Sequence, residues 1–151
     1  VFHRHPFLSL VTFAYLGFVG WLTLTPERSA PTGSALVLRI VDKLQVIDPR
    51  FTYDRVEFAA NVALFVPVGV FLVLLFGTRY WWVAAIAGFA MTSAIETAQR
   101  SIPGRVPDER DVLSNTTGTL IGIVVALVLT FPTTLRRHRA RRRREAQLVG
   151  R

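Results

Sequence analysis

The sequence predicts an all-α integral membrane bundle of about four transmembrane helices, with a short interfacial helix in the first outer loop. Three observations predict it. Hydrophobic residues make up 51% of the 151-residue chain, and they fall into four long blocks rather than spreading evenly. The segments between those blocks are rich in Pro, Gly and Asp, which punctuate helices. Charge is as uneven as apolar content: the net charge is +8, and its excess lies between Arg136 and Arg151. A chain of this length fits one domain. Residues 1–135 read as the membrane domain, with spans at about 7–24, 58–76, 81–98 and 112–131, and residues 136–151 as a basic cytoplasmic tail.

The first block, Phe7 to Leu24, covers roughly 27 Å as a helix, close to the thickness of a bilayer core. Arg4 ahead of it and the small residues after Pro26 also suit a signal peptide. The block is long for that role and ends in Trp21 and Pro26, so a retained helix is expected. Thr25 to Glu57 forms the one long loop, opened by Pro26, Pro31 and Gly33 and broken again by Asp48, Pro49 and Asp54. Within it, Ala35 to Ile47 reads as a short helix with Leu36, Ile40, Leu44 and Ile47 on one face. Too short to span, it is expected to lie at the membrane interface or to cap the bundle, with an ordinary solvated helix as the alternative.

The second block runs from Phe58 to Phe76 and includes Asn61, Pro67 and Gly69. Gly77 to Tyr80 reads as a tight turn, and Tyr80, Trp81 and Trp82 as an interfacial aromatic belt. The third block, Trp81 to Ala98, ends in Glu96 and Gln99. Arg100 to Pro107 reads as a loop. The fourth block is Val112 to Phe131, ended by Pro132. Its helix is expected to start earlier, with Pro107 at the first helical position and Asp108, Glu109 and Asp111 at the positive end of the helix dipole. The arginine tail favours cytoplasmic termini by the positive-inside rule, which turns the long loop and the Pro-Gly loop outward.

Composition narrows the functional classes. A sequence pI near 11.4 would suggest nucleic acid in a soluble protein, but here the basic residues form a tail on an apolar body. No nucleic-acid partner is expected; the tail sets topology and touches anionic lipid. The chain has no cysteine, which excludes disulfides, thiolate metal sites and a thiol nucleophile. The three histidines, His3, His5 and His138, lie near the termini, so a histidine-centred catalytic site in the body is excluded. No cofactor and no metal is called for.

The intramembrane polar residues agree in depth. Asn61, Glu96 and Asn115 each lie close to a block end, and in an up-down bundle those ends share one membrane side. Asp108, Asp111 and Asn115 fall on one helical face, and the stripe continues as Gly118, Gly122 and Ala126. Gln99, Glu96 and Thr92 align likewise, continuing as Gly88 and Ala85. Small residues at that spacing let membrane helices approach closely, so both stripes are expected to face inward, where Glu96 would meet Asn115. A carboxylate within a membrane is costly and is by default a functional candidate. The alternative is a structural network in which Asn61, Asn115 and Arg105 satisfy Glu96.

These same residues carry a resemblance. Asn61, Phe65, Pro67 and Gly69 match the N-x-x-x-F-x-P-x-G stretch of VanZ-like membrane proteins. Glu96 with Gln99, then Gly104, Arg105, Asp108, Asp111, Asn115 and Gly118, are similar to that family's E-x-x-Q and G-R-x-x-D-x-x-D-x-x-x-N-x-x-G signature. Some relatives also carry Asp-Lys-x-x-His; here Asp42 and Lys43 are followed by Leu44, Gln45 and Val46, with no His. The resemblance implies a bacterial inner-membrane protein, some of whose relatives are linked to resistance to teicoplanin-type glycopeptides. It brings no established mechanism.

Residues and resemblance together leave three functions open. The first is a cell-envelope protein that binds a lipid headgroup or cell-wall precursor in an outward polar pocket formed by Asn61, Glu96, Gln99, Arg105, Asp108, Asp111 and Asn115. Arg100 and Arg105 would meet phosphate or carboxylate there. The second is a membrane enzyme acting on an envelope lipid, with Glu96, Asp108 and Asp111 as acid-base or metal groups; Glu96 is then the candidate catalytic residue. The third is a structural partner of a larger membrane complex. Expected partners are membrane lipids, with a cell-wall precursor or glycopeptide as a further candidate.

Overall fold

The computed structural model describes residues 6–25, 32–102 and 109–149, with side chains described for 6–25, 36–102 and 109–131. Every regular element among them is helical. In chain order these are α1 (Pro6–Leu24), α2 (Thr32–Gln45), α3 (Tyr53–Phe76), α4 (Trp81–Gln99) and α5 (Glu109–Val149). A single 3₁₀ turn, Thr78–Tyr80, joins α3 to α4. It follows Gly77, whose φ of 90° is reserved for glycine, so the tight turn expected at Gly77 is present.

Three helices are long and apolar enough to cross a membrane: Pro6–Leu24, Tyr53–Phe76 and the Glu109–Phe131 part of α5. That is one fewer than the four spans expected. The helix that drops out is α4. Its length, 19 residues, is sufficient, but Trp81 and Trp82 at one end and Thr92, Ser93, Glu96, Thr97 and Gln99 toward the other dilute its apolar run.

The helices lie alternately up and down. α3 and α5 run parallel, since Gly118 lies against Val62 and Phe65 while Gly122, one turn on, lies against Val66 and Gly69. α4 is antiparallel to both, with Gly88 against Thr119 and Thr92 bonded to Asn115. α3 packs more extensively on α5 than on any other helix. Glycine makes that possible: Cβ atoms added at Gly69 or Gly122 would collide with backbone carbonyl oxygens of the facing helix. Around this seam the core is formed by Phe65, Val68, Leu72, Val73, Ile123 and Ala126, with Val19 and Ala84 from the flanking helices.

α1 is held loosely. The Tyr15 hydroxyl donates to the Leu64 carbonyl of α3 at 2.8 Å, one turn from the gap that Pro67 leaves in the α3 hydrogen-bond ladder. The Tyr15 ring also meets Phe71 edge-on, with centroids 5.5 Å apart. Large apolar side chains of α1 face outward, among them Phe7, Leu10, Phe13, Phe18 and Trp21. Trp81, Trp82, Ile86, Phe89, Leu120, Val124, Val128 and Phe131 continue this apolar sheath on α4 and α5. An exposed apolar surface of that extent belongs against lipid or another protein, not water.

Two boundaries and one face differ from expectation. α5 does not end at Pro132 but continues to Val149, through a segment whose Arg, Ala, Glu and Gln are good helix formers. Its start at Glu109 keeps Glu109 and Asp111 in the first turn, as the dipole favours; the part of the expectation that rests on Pro107 and Asp108 lies outside the described residues. In α2 the buried face is Val37 and Val41 with Leu44, packed on Val56 and Tyr53. Leu36 and Ile40 are exposed instead, and Ile47 lies beyond the helix, because Pro49 disfavours helical backbone at Asp48.

Candidate functional site

The polar residues singled out from the sequence separate into a buried layer and an accessible pocket. The buried layer sits between α4, α5 and the end of α1. Thr92, Glu96, Gln99 and Asn115 are each no more than 5% exposed. The Asn115 amide nitrogen donates to the Thr92 hydroxyl at 3.1 Å. The Gln99 amide nitrogen donates to the Thr23 carbonyl at 2.9 Å, pinning the end of α1 to the end of α4. Thr119 completes the layer, its hydroxyl donating to the Asn115 carbonyl at 3.0 Å.

Glu96 stands out within this layer. Neither carboxylate oxygen has a hydrogen-bond partner among the described residues, and the Asn115 side-chain oxygen has none either. The expected meeting of Glu96 with Asn115 is therefore not made; Asn115 turns to Thr92. Among the described residues Glu96 pairs with Arg100, one turn on, with Nε 3.7 Å from Oε1 and a side chain 62% exposed. That separation is an ion pair but not a hydrogen bond.

The accessible part gathers at the first turns of α3 and α5. A cavity of about 400 Å³ opens there, lined by Asp54, Arg55, Glu57 and Phe58 from α3 and by Arg110, Asp111, Leu113 and Ser114 from α5. Beside it the Asn61 amide donates to Asp111 Oδ1 at 2.9 Å. Asn61 thus serves Asp111, not Glu96. Across the mouth Arg110 Nη1 meets Asp54 Oδ2 at 3.3 Å. Ser114 is fully buried and donates to the Asp111 carbonyl at 3.1 Å. The α4–α5 register set by Gly88 with Thr119 and Thr92 with Asn115, carried one turn further, brings Glu96 level with Asp111. The common depth expected for Asn61, Glu96 and Asn115 is thus reproduced, although they do not share one cavity.

Arg105 and Asp108 lie outside the described residues. Asp54, Glu57, Arg110 and Ser114 were not singled out as site residues from the sequence. Charges such as Asp54, Glu57 and Arg110 are unremarkable near helix starts and a serine is unremarkable within a helix, and only the lateral approach of α3 to α5 makes one wall of them. No group of three or more His, Cys, Asp or Glu side chains placed to hold a metal occurs among the described residues. Chemically, the pocket offers guanidinium and carboxylate groups of both signs around an apolar side formed by Phe58 and Leu113, suited to a polar or zwitterionic head with an apolar body.

The VanZ/LLP1 family profile matches residues 12–130. The chain belongs to the VanZ/LLP1 family. The match takes in the last two-thirds of α1, the pocket and the buried layer, and it ends before the basic tail, so the resemblance drawn from Asn61 to Gly118 holds over a much longer stretch than those motifs. With its three apolar helices, this VanZ/LLP1 chain has the make-up of a multi-pass membrane protein. No curated protein and no solved structure matches it.

Proposed function

We propose that this VanZ/LLP1 protein binds the headgroup of an envelope lipid or lipid-linked cell-wall precursor in the pocket between the first turns of α3 and α5. The observation that carries the reading is the pocket's composition. Arg110, Asp111, Glu57 and Asp54 converge on a cavity of about 400 Å³ that also has an apolar side, within the range usual for small-molecule sites. Asn61 and Ser114 hold Asp111 in place, while Thr92, Asn115 and Gln99 fix the helices behind it. In this reading they are positioning residues, and Glu96 belongs with them.

The proposal includes a topology. α3 and α5 run parallel, so a chain that crosses the membrane in both must return between them, and α4 is the helix that joins them. With α4, less apolar than the other three helices, as that return crossing, an arginine tail inside would put both termini in the cytoplasm of a bacterial cell and turn the pocket outward. A pocket on that side of the inner membrane would meet wall precursors and the glycopeptides that bind them, the setting for a link to teicoplanin-type resistance.

The test is lipid analysis of the purified protein. Wild type, Asp111→Asn and Arg110→Gln are purified from native membranes, and co-purifying lipids are identified by mass spectrometry. The reading expects a lipid or precursor enriched with wild type and lost from both variants. Arg110 and Asp54 are two-thirds exposed, so Arg110→Gln should leave stability within about 1 kcal/mol of wild type. Equal lipid content in folded variants would remove the pocket's role and leave a structural partner of a membrane complex as the better account.

A further inference from the structure

A second cavity, of about 550 Å³, lies between α2, the loop after it and the first turns of α3. Its wall is mainly apolar, with Ile40 and Leu44 from α2, Phe51 from the loop, and Val56 and Ala60 from α3. Arg50 and Arg55 stand on the same wall, with Asp48 as its one carboxylate. Asp48 is engaged within the loop, where its Oδ1 accepts the Arg50 backbone N–H at 2.9 Å. Arg55 donates from Nη1 to the Arg50 carbonyl at 3.0 Å, which orients the guanidinium and leaves its other donors for a ligand. Among the described residues neither Arg50 nor Arg55 forms an ion pair with a carboxylate, whereas Arg100 and Arg110 both do.

The location narrows the ligand. α2 has 14 residues, about 21 Å of helix, too short to cross a bilayer. One face packs on α3 through Val37 and Val41. Leu36 and Leu38 flank that face on its two sides, 58% and 52% exposed, while Arg39, Asp42 and Lys43 are exposed on the side away from α3, as expected of an amphipathic helix lying in the membrane interface. A cavity beneath such a helix has headgroups to one side and acyl chains to the other.

We propose that this cavity binds an anionic phospholipid, with its phosphate between Arg50 and Arg55 and an acyl chain along the apolar wall. The guanidinium fork matches phosphate oxygens. A zwitterionic lipid would also bring a cationic group, for which the wall offers only the engaged Asp48. This site shares membrane placement with the function proposed above but does not depend on the α3–α5 pocket. Arg55 lines both cavities and Arg50 only this one, so Arg50 separates them.

The experiment uses the full chain in detergent, with phosphatidylglycerol or phosphatidylcholine added and the retained lipid counted by native mass spectrometry. Phosphatidylglycerol should be retained about tenfold more strongly, since both lipids offer a phosphate but choline would bring a further cation beside the two guanidiniums. Arg50→Gln should remove most of that preference, and Arg50→Gln combined with Arg55→Gln should bring it to the phosphatidylcholine level. Arg79→Gln, on the turn at the far end of α3, should not alter it. Should the double variant fail to fold, Ala60→Leu fills the wall, keeps both arginines and should lower retention. Preference unchanged in Arg50→Gln and Ala60→Leu would overturn the proposal. Displacement of the lipid by millimolar inorganic phosphate would overturn the lipid assignment in favour of a soluble anion. Asp111→Asn should leave the preference intact, which keeps failure of this site distinct from failure of the other.

Discussion

Replacing Gly122 by alanine tests the α3–α5 seam directly. The added Cβ would overlap the Val66 carbonyl oxygen and stand 3.0 Å from the Gly69 Cα, whereas ordinary Cβ contacts begin near 3.4 Å. All of these neighbours are backbone, so no side chain can swing aside. The two helices must separate by about 1 Å, loosening Phe65, Val68 and Ile123 along the seam. Overpacking of this kind costs about 1–3 kcal/mol, and a backbone collision belongs at the upper end. Gly17→Ala and Gly20→Ala are the controls, since nothing lies within 4 Å of a Cβ at either position; alanine there should be neutral or stabilise by up to about 1 kcal/mol. Reversible unfolding in mixed micelles, read by circular dichroism, gives the comparison. The double variant Gly118→Ala/Gly122→Ala adds a second constraint. One displacement relieves both collisions, so its cost should fall below the sum of the singles. A Gly122→Ala variant as stable as Gly17→Ala would refute the close crossing.

Three further substitutions probe the polar layer and the attachment of α1. Thr92→Val removes the acceptor of the Asn115 amide at nearly constant volume and should cost about 1 kcal/mol, as interhelical hydrogen bonds in membranes do; Thr92→Ser should recover most of it in the same unfolding assay. Tyr15→Phe deletes the bond to the Leu64 carbonyl and should cost about 1 kcal/mol, seen as faster amide hydrogen exchange in α1 with α3 and α5 unchanged. Glu96→Gln replaces a buried carboxylate that accepts no hydrogen bond with a neutral amide, and should raise the thermal midpoint. A lowered midpoint would mean that the carboxylate holds a partner the fold requires.

The parts of this fold that were legible in the sequence are those encoded locally. Pro, Gly and Asp delimit the helices, Gly77 marks its own turn, and the spacing of Gly118, Gly122 and Ala126 marks a face built for close approach. The depths of Asn61, Glu96 and Asn115 follow from their distance to the block ends. Partner choice was not legible. Asn61 faces Asp111 because α3 and α5 are parallel neighbours in register, a fact about the bundle and not about either helix. In a lipid-facing helix both faces are apolar, so the pattern that identifies a buried face in water loses contrast. α2 shows the same ambiguity, with apolar side chains on two faces and Val37 and Val41 chosen by the position of Val56. Pro132 misled for another reason: one missing donor does not end a helix whose following residues favour it.

The glycine seam also dictates an order of events. α3 leaves the ribosome before α4, and α4 before α5, yet the surface against which Gly69 fits lies on α5. Until the final helix is synthesised, α3 and α4 can form only a hairpin with an open groove where the glycines stand. That close contact therefore becomes available only once α5 has been made. A nascent chain halted after Gln99 would hold that groove open to lipid or to whatever insertion factor shields it, and cross-links from Gly69 should pass to Thr119 and Ile123 only when α5 arrives.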